Sequence, residues 1–98
     1  MDDAPMPVFG SPTPNPTHDE VTFRVTASSS PGASGGEISI LDVTGRVVRT
    51  LPLTRLGSKG YTATWDLKTS RGSRVHEGLY FARYTVGTRT YAHRLVVE

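Results

Sequence analysis

The 98-residue chain contains no cysteine. That excludes a disulfide scaffold and any zinc site built on thiolates, while the compartment stays open because many secreted bacterial proteins also lack disulfides. No stretch approaches the roughly 20 apolar residues of a membrane-spanning helix. The opening MDDAPMPVFG has no basic n-region and no apolar h-region, so it does not read as a signal peptide. Basic residues are missing from the first 20 positions, where four of the nine acids lie (Asp2, Asp3, Asp19, Glu20). Residues 1–20 therefore carry −4, and residues 21–98, with 11 basic and five acidic groups, carry +6. Those cations, nine of them Arg, are spread singly from Arg24 to Arg94 with no block of like charge. Such a distribution solvates the outer faces of strands and turns; a dedicated stripe for an anionic partner is the sharper alternative. Helical periodicity is lacking too, since no window of 12 residues carries a helix-spaced apolar stripe. The length bounds what remains to one small domain.

Five of the seven prolines fall within residues 1–17. Proline fixes φ and donates no N–H, so this tract takes an extended path rather than a helix. Residues 1–6 read as an acidic, Pro-rich linker, with the domain over 7–98 and Val8–Phe9 as an edge strand where prolines are tolerated. From Val21 the pattern is period two, as in half-buried strands. Val21, Phe23 and Val25 alternate with polar residues, and the low-complexity SSSPGASGG that follows is a loop. Glu37–Val43 and Arg46–Leu51 form a hairpin about Thr44-Gly45, where glycine supplies a positive φ. Tyr61, Ala63 and Trp65 mark another strand. The polar run 66–78 is a long connection with turns at Gly72 and Gly78, and Leu79–Val86 with Arg89–Val97 close a last hairpin around Gly87. Val and Thr supply 23 residues, in keeping with strands. The expected fold is all-β: an immunoglobulin-like antiparallel sandwich of about seven strands.

Catalytic motifs do not survive their structural requirements. Gly32-Ala33-Ser34-Gly35-Gly36 spells G-x-S-x-G, but it sits in a Ser/Gly loop without the strand-to-helix elbow a nucleophile needs. Asn15-Pro16-Thr17 is no glycosylation acceptor, because proline fills the middle position. Thr17 to Glu20 spells a helix capping box, yet a strand follows. His18, His76 and His93 lack metal-ligand spacing and read as surface residues. Asp42 and Asp66 each end a strand, where carboxylates accept backbone N–H bonds in turns; a general acid–base pair or a calcium site is the alternative, and no D-x-D-x-D cluster supports it. Trp65, Tyr61, Tyr80, Tyr84, Tyr91, Phe23 and Phe81 supply core bulk, or else a sugar-stacking platform. Basic and aromatic residues do not converge on any nucleic-acid module. No enzyme, cofactor or metal is expected.

One ordered set of features runs through about 85 residues: Pro14-Asn15-Pro16, the strand Val21 to Val25, and Ile38 to Leu51 with its Asp42-x-x-Gly45-Arg46 turn. Gly60, Trp65-Asp66, Gly72, Val75, Gly78-Leu79-Tyr80-Phe81 and Arg94-Leu95-Val96-Val97 complete it. In order and spacing this resembles the type A C-terminal sorting domains of the type IX secretion system. It is also similar to the immunoglobulin-like domain of flagellar hook-capping proteins. The resemblance implies a non-catalytic tag behind a larger N-terminal cargo, carried through the outer membrane by the secretion machinery and a shuttle protein and often attached to surface lipopolysaccharide. It places the sorting residues at Gly87, Arg94, Leu95, Val96 and Val97. Structural roles fall on Asn15, Pro16, Asp42, Gly45, Arg46, Trp65, Asp66, Gly78 and Tyr80. An accessory carbohydrate-binding module of a secreted enzyme, or a hook-capping-type assembly domain, is the competing expectation.

Overall fold

A computed structural model describes residues 8–26, 36–57, 60–86 and 89–98. Eight strands occur among them: β1 (Val8–Phe9), β2 (Val21–Thr26), β3 (Glu37–Leu41), β4 (Val47–Pro52), β5 (Thr54–Leu56), β6 (Gly60–Trp65), β7 (Gly78–Val86) and β8 (Arg89–Val97). They form two four-stranded sheets, β1-β2-β6-β5 and β4-β3-β7-β8, whose named pairings are all antiparallel. The order matches the A-B-E-D and C′-C-F-G sheets of an immunoglobulin sandwich. The expected fold class therefore holds, with β5 as one strand more than the sequence pattern marked. Residues 27–35, with all of the G-x-S-x-G string but Gly36, and the Gly87 turn lie outside the described residues.

Alternation builds the core. On β2, Val21, Phe23 and Val25 are wholly buried while Arg24 and Thr26 face water, and on β6 the inward set is Tyr61, Ala63 and Trp65. The other sheet contributes Ile38 and Ile40 from β3, Tyr80, Ala82 and Tyr84 from β7, and Leu95 and Val97 from β8. Of the aromatics considered for a sugar platform, Phe23, Tyr61, Trp65, Tyr80 and Tyr84 are inside, and Phe81 and Tyr91 are half-buried.

The connection after β6 departs from its polar reading, because Leu67 and Val75 are buried with the core. Leu67 sits in the left-handed region at φ 63°, which a branched side chain adopts only when its surroundings hold it there. The Val75 N–H donates to the Leu67 carbonyl (2.9 Å), so the two apolar ends of the connection plug the sandwich together. Below them, the Trp65 Nε1–H donates to the Lys68 carbonyl (2.9 Å), and the Trp65 ring meets Tyr80 edge-on at 5.7 Å. The Tyr80 hydroxyl donates to the His76 carbonyl (2.7 Å). That bond reproduces the tyrosine corner of immunoglobulin-type sandwiches, in which the strand after this connection ties back to it. Burial, and secondarily the Asp42 charge, push the Tyr80 phenol above its ordinary 10.0, so it stays a donor throughout neutral pH.

Candidate functional site

β8 is an edge strand whose only strand partner among the described residues is β7. Its pleat divides four of the five residues that the family resemblance marks for sorting. Leu95 and Val97 point inward and are buried, whereas Arg94 and Val96 face out. Gly87 lies outside the described residues.

The outward backbone edge at the end of β8 is occupied by the Pro-rich segment, which changes sheets. Thr13 first extends the β1 side of β2, exchanging N–H···O bonds with Thr22 (3.1 and 2.8 Å). The chain then crosses to the other sheet, where Thr17 bridges Val97 in parallel. Pro14 and Pro16 have no N–H to donate, so an ordinary ladder is impossible here. The Asn15 side chain replaces it: Nδ2–H donates to the Arg94 carbonyl (3.0 Å) and Oδ1 accepts from the Val96 N–H (3.0 Å). Thr17 continues the pattern, donating its N–H to the Val96 carbonyl (2.9 Å) and accepting from the Glu98 N–H (2.7 Å). Arg74 Nη2 completes the clamp, donating to His18 O (2.9 Å) and Glu98 O (3.4 Å).

Thr17 is buried, and its hydroxyl donates to the Glu20 carbonyl (2.6 Å). The capping-box string thus closes a turn before β2. The sequence connects Asn15 and Pro16 to residues 94–97 only as parts of one pattern; the structure puts Asn15 in contact with Arg94 and Val96. A signal was present in the string, since an asparagine between two prolines is the one side chain there able to both donate and accept like a peptide.

Asn15→Ala removes two solvent-exposed bonds and is expected to cost about 1–2 kcal/mol. Amide exchange at Val96 should accelerate while that of the β2–β6 pairing is unchanged; equal protection of Val96 in the variant would remove the clamp from the account.

The second cluster is the β3–β4 turn. Gly45 takes φ 88°, and the Asp42 N–H donates to the Arg46 carbonyl (2.9 Å) across the turn. Asp42 Oδ1 accepts from the Thr44 hydroxyl (2.6 Å) and from the N–H groups of Thr44 (2.9 Å) and Arg46 (3.1 Å). The Thr44 hydroxyl foremost, then the two N–H groups and the Arg46 charge, hold the Asp42 carboxyl below its ordinary 3.8, against an opposing desolvation effect. A depressed carboxyl stabilises the fold fully above the unfolded value and loses that contribution as pH falls through the folded one. Asp42→Asn should therefore be less stable than wild type at pH 7, with the gap closing below 3.8. Urea melts at the two ends of that range check it; a gap independent of pH would show that the charge is not involved.

β4 and the 66–72 connection border a third region, an open cavity of about 500 Å³ lined by residues including Arg49, Thr50, Asp66 and Lys68. Arg49 Nη1 donates to Asp66 Oδ1 (3.0 Å) and to the Lys68 carbonyl (3.0 Å). Asp66 also accepts from the Lys68 N–H (3.2 Å), which makes it a turn carboxylate like Asp42. An exposed pair of this kind contributes about 0.2–1 kcal/mol. Among the described residues no three His, Cys, Asp or Glu groups gather. His18 and His76 are exposed, but His93 is half-buried, its Nε2 at 2.6 Å from the Phe9 carbonyl and its ring 4.8 Å from that of Phe9. It belongs to the seam between β8 and β1 rather than to the open surface.

Sheet order, tyrosine corner and a first segment that pairs with both sheets define an immunoglobulin-like domain. Residues 13–98 match the model of the secretion system C-terminal sorting domain, and the chain belongs to that type IX secretion family. Among solved structures it is similar to dimeric latent PorU from Porphyromonas gingivalis, with a TM-score of 0.70 and 23% identity over 99% of this chain. The match spans only 10% of the PorU chain. It is also similar to CopC from Methylosinus trichosporium OB3b, with a TM-score of 0.55 and 19% identity, covering 95% of this chain and 94% of that one. At these identities the likeness is one of fold. No curated protein sequence matches the chain significantly.

Proposed function

We propose that this domain is a non-catalytic address: it directs an N-terminally attached cargo across the outer membrane and leaves that cargo at the cell surface. The observation that carries this reading is the family match over residues 13–98, which takes in the Asn15–Thr17 clamp and every strand from β2 to β8. In this reading the domain is residues 7–98, residues 1–6 are its linker, and Arg94, Leu95, Val96 and Val97, with the Gly87 turn, form the sorting element. The partners are the outer-membrane machinery and a shuttle protein, with lipopolysaccharide as the final attachment. The structure supports a division of labour within that element: Leu95 and Val97 hold the strand in the core, and Arg94 and Val96 are presented to a partner.

The test is export. Residues 7–98 fused behind a periplasmic reporter should appear at the surface or in the medium of a host with type IX secretion. The same fusion should stay in the periplasm when that system is deleted, as should the reporter without the domain. Retention of the fusion in the competent host would overturn the reading.

A further inference from the structure

A partner reaching the β4-β3-β7-β8 sheet meets two edges and one outward face. Where β8 finishes, both edges are engaged. On β8 the Arg94 and Val96 carbonyls and the Val96 and Glu98 N–H groups are taken by Asn15 and Thr17. On β4 the Val48 carbonyl accepts from the Ser70 N–H (3.1 Å), so the 66–72 connection lies along that edge.

Among the described residues no strand covers the outward face, and the end of it near Phe81 is apolar. Pairing sets Val47 opposite Leu41, Leu41 opposite Phe81, and Leu79 opposite Val96. Leu41 is only 8% exposed yet stands outside the central core cluster, so an apolar layer exists on this side of the sheet as well. Val47 and Val96 remain 46% and 37% exposed. An antiparallel sheet with one face on the core normally turns a polar face to water, and a contiguous apolar patch there marks an interaction surface. On β7 and β8 its charged groups include Arg83 and Arg94, with Arg94 directly opposite Phe81; acids stand only at its margins, Glu37 at the far end of β3 and Glu77 and Glu98 just beyond Gly78 and Val97. Asp42 and Glu77 border a cavity at the sheet end that Leu79 also lines, and the Asp42 carboxylate is held there by its own turn.

We infer that this outward face is where the sorting domain is read, by a protein surface that is apolar at its centre and carries carboxylates against Arg83 and Arg94. The inference rests on the sorting function proposed above and adds the mode of recognition. The partner reads side chains across a closed sheet; it does not add a strand to the end of β8.

The experiment compares the 7–98 fusion with Phe81→Glu, Val96→Glu and Arg94→Glu, and with Arg24→Glu on the exposed side of β2 as a charge control. Asn15→Ala serves as an edge-opening variant. Each domain is also purified and its Tm measured. The three face variants should lose export about tenfold or more, equivalent to about 1.4 kcal/mol of binding. Val96→Glu and Arg94→Glu should keep the parent Tm within a few degrees, and they carry the test if Phe81→Glu fails to fold. Arg24→Glu should be exported like the parent.

Export of the parent and all face variants alike overturns the docking face and leaves the sorting function standing. Retention of the parent overturns both. Enhanced export of Asn15→Ala with unaffected face variants assigns recognition to strand addition instead. Self-association of the purified domain abolished by Val96→Glu assigns the face to a second copy. Binding to anionic vesicles that depends on Phe81 assigns it to lipid. Each of these three results overturns the proposed partner.

Discussion

Deleting residues 94–98 should unfold the domain. Leu95 has no exposed surface and Val97 has 2%, and losing a large buried aliphatic side chain costs about 2–5 kcal/mol. The deletion removes both, along with the backbone pairs that Gly78, Leu79, Tyr80 and Phe81 make with β8 and the partners of Asn15 and Thr17. The combined loss is comparable with the whole stability of a small domain, about 5–15 kcal/mol. Far-UV circular dichroism and urea titration of residues 7–93 should show no cooperative transition. A transition within a few degrees of the parent Tm would mean that β8 contributes far less than its burial implies. Failure of such a truncation to be exported therefore reports lost folding as much as a lost signal. Substitutions at exposed Arg94 and Val96 separate the two, because surface changes usually stay within about 0.5 kcal/mol.

Trp65→Ala should be the most damaging single substitution. The indole is wholly buried, packs edge-on against Tyr80 and donates to Lys68. Truncation to alanine typically costs about 3–5 kcal/mol, which for a domain of this size lowers Tm by roughly 15–30 °C. Trp65→Phe keeps most of the packing and loses the Nε1–H bond, so a cost nearer 1–2 kcal/mol is expected. Calorimetry or circular dichroism gives both values. Equal effects of Ala and Phe would mean that the hydrogen bond, rather than the ring's bulk, holds the 66–77 connection in place.

The two substitutions differ in how far the sequence announces them. Alternation in Val21–Thr26, Gly60–Trp65 and Arg89–Val97 is strong because one face of each strand is buried, and Trp65 stands plainly on the inward side. Gly45 likewise announces its turn through the need for positive φ. The β5 strand Thr54–Leu56 was not legible: Thr54 and Arg55 are both exposed and the strand is three residues long, so no inside–outside alternation can show. Leu67 and Val75 were hidden for another reason. They stand singly in a polar run, and only the bond from Val75 to Leu67 brings them together over the core.

The residues proposed for sorting came from family pattern alone. Their unequal roles depend on the pleat, and the Asn15 clamp joins residues 79 and 81 positions apart. Nothing local in a sequence encodes a contact over that distance.

That separation carries a kinetic meaning. The β3–β4 and β7–β8 hairpins join near neighbours and can form early, whereas closure of residues 13–17 on residues 94–98 spans nearly the whole chain. Contacts of that range are the slow ones in folding. Synthesis proceeds from the N-terminus, so the seam cannot close until residue 98 has been made. A nascent chain that stops short of residue 98 lacks the finished sandwich, and the clamp ties maturity of the domain to synthesis of its last strand.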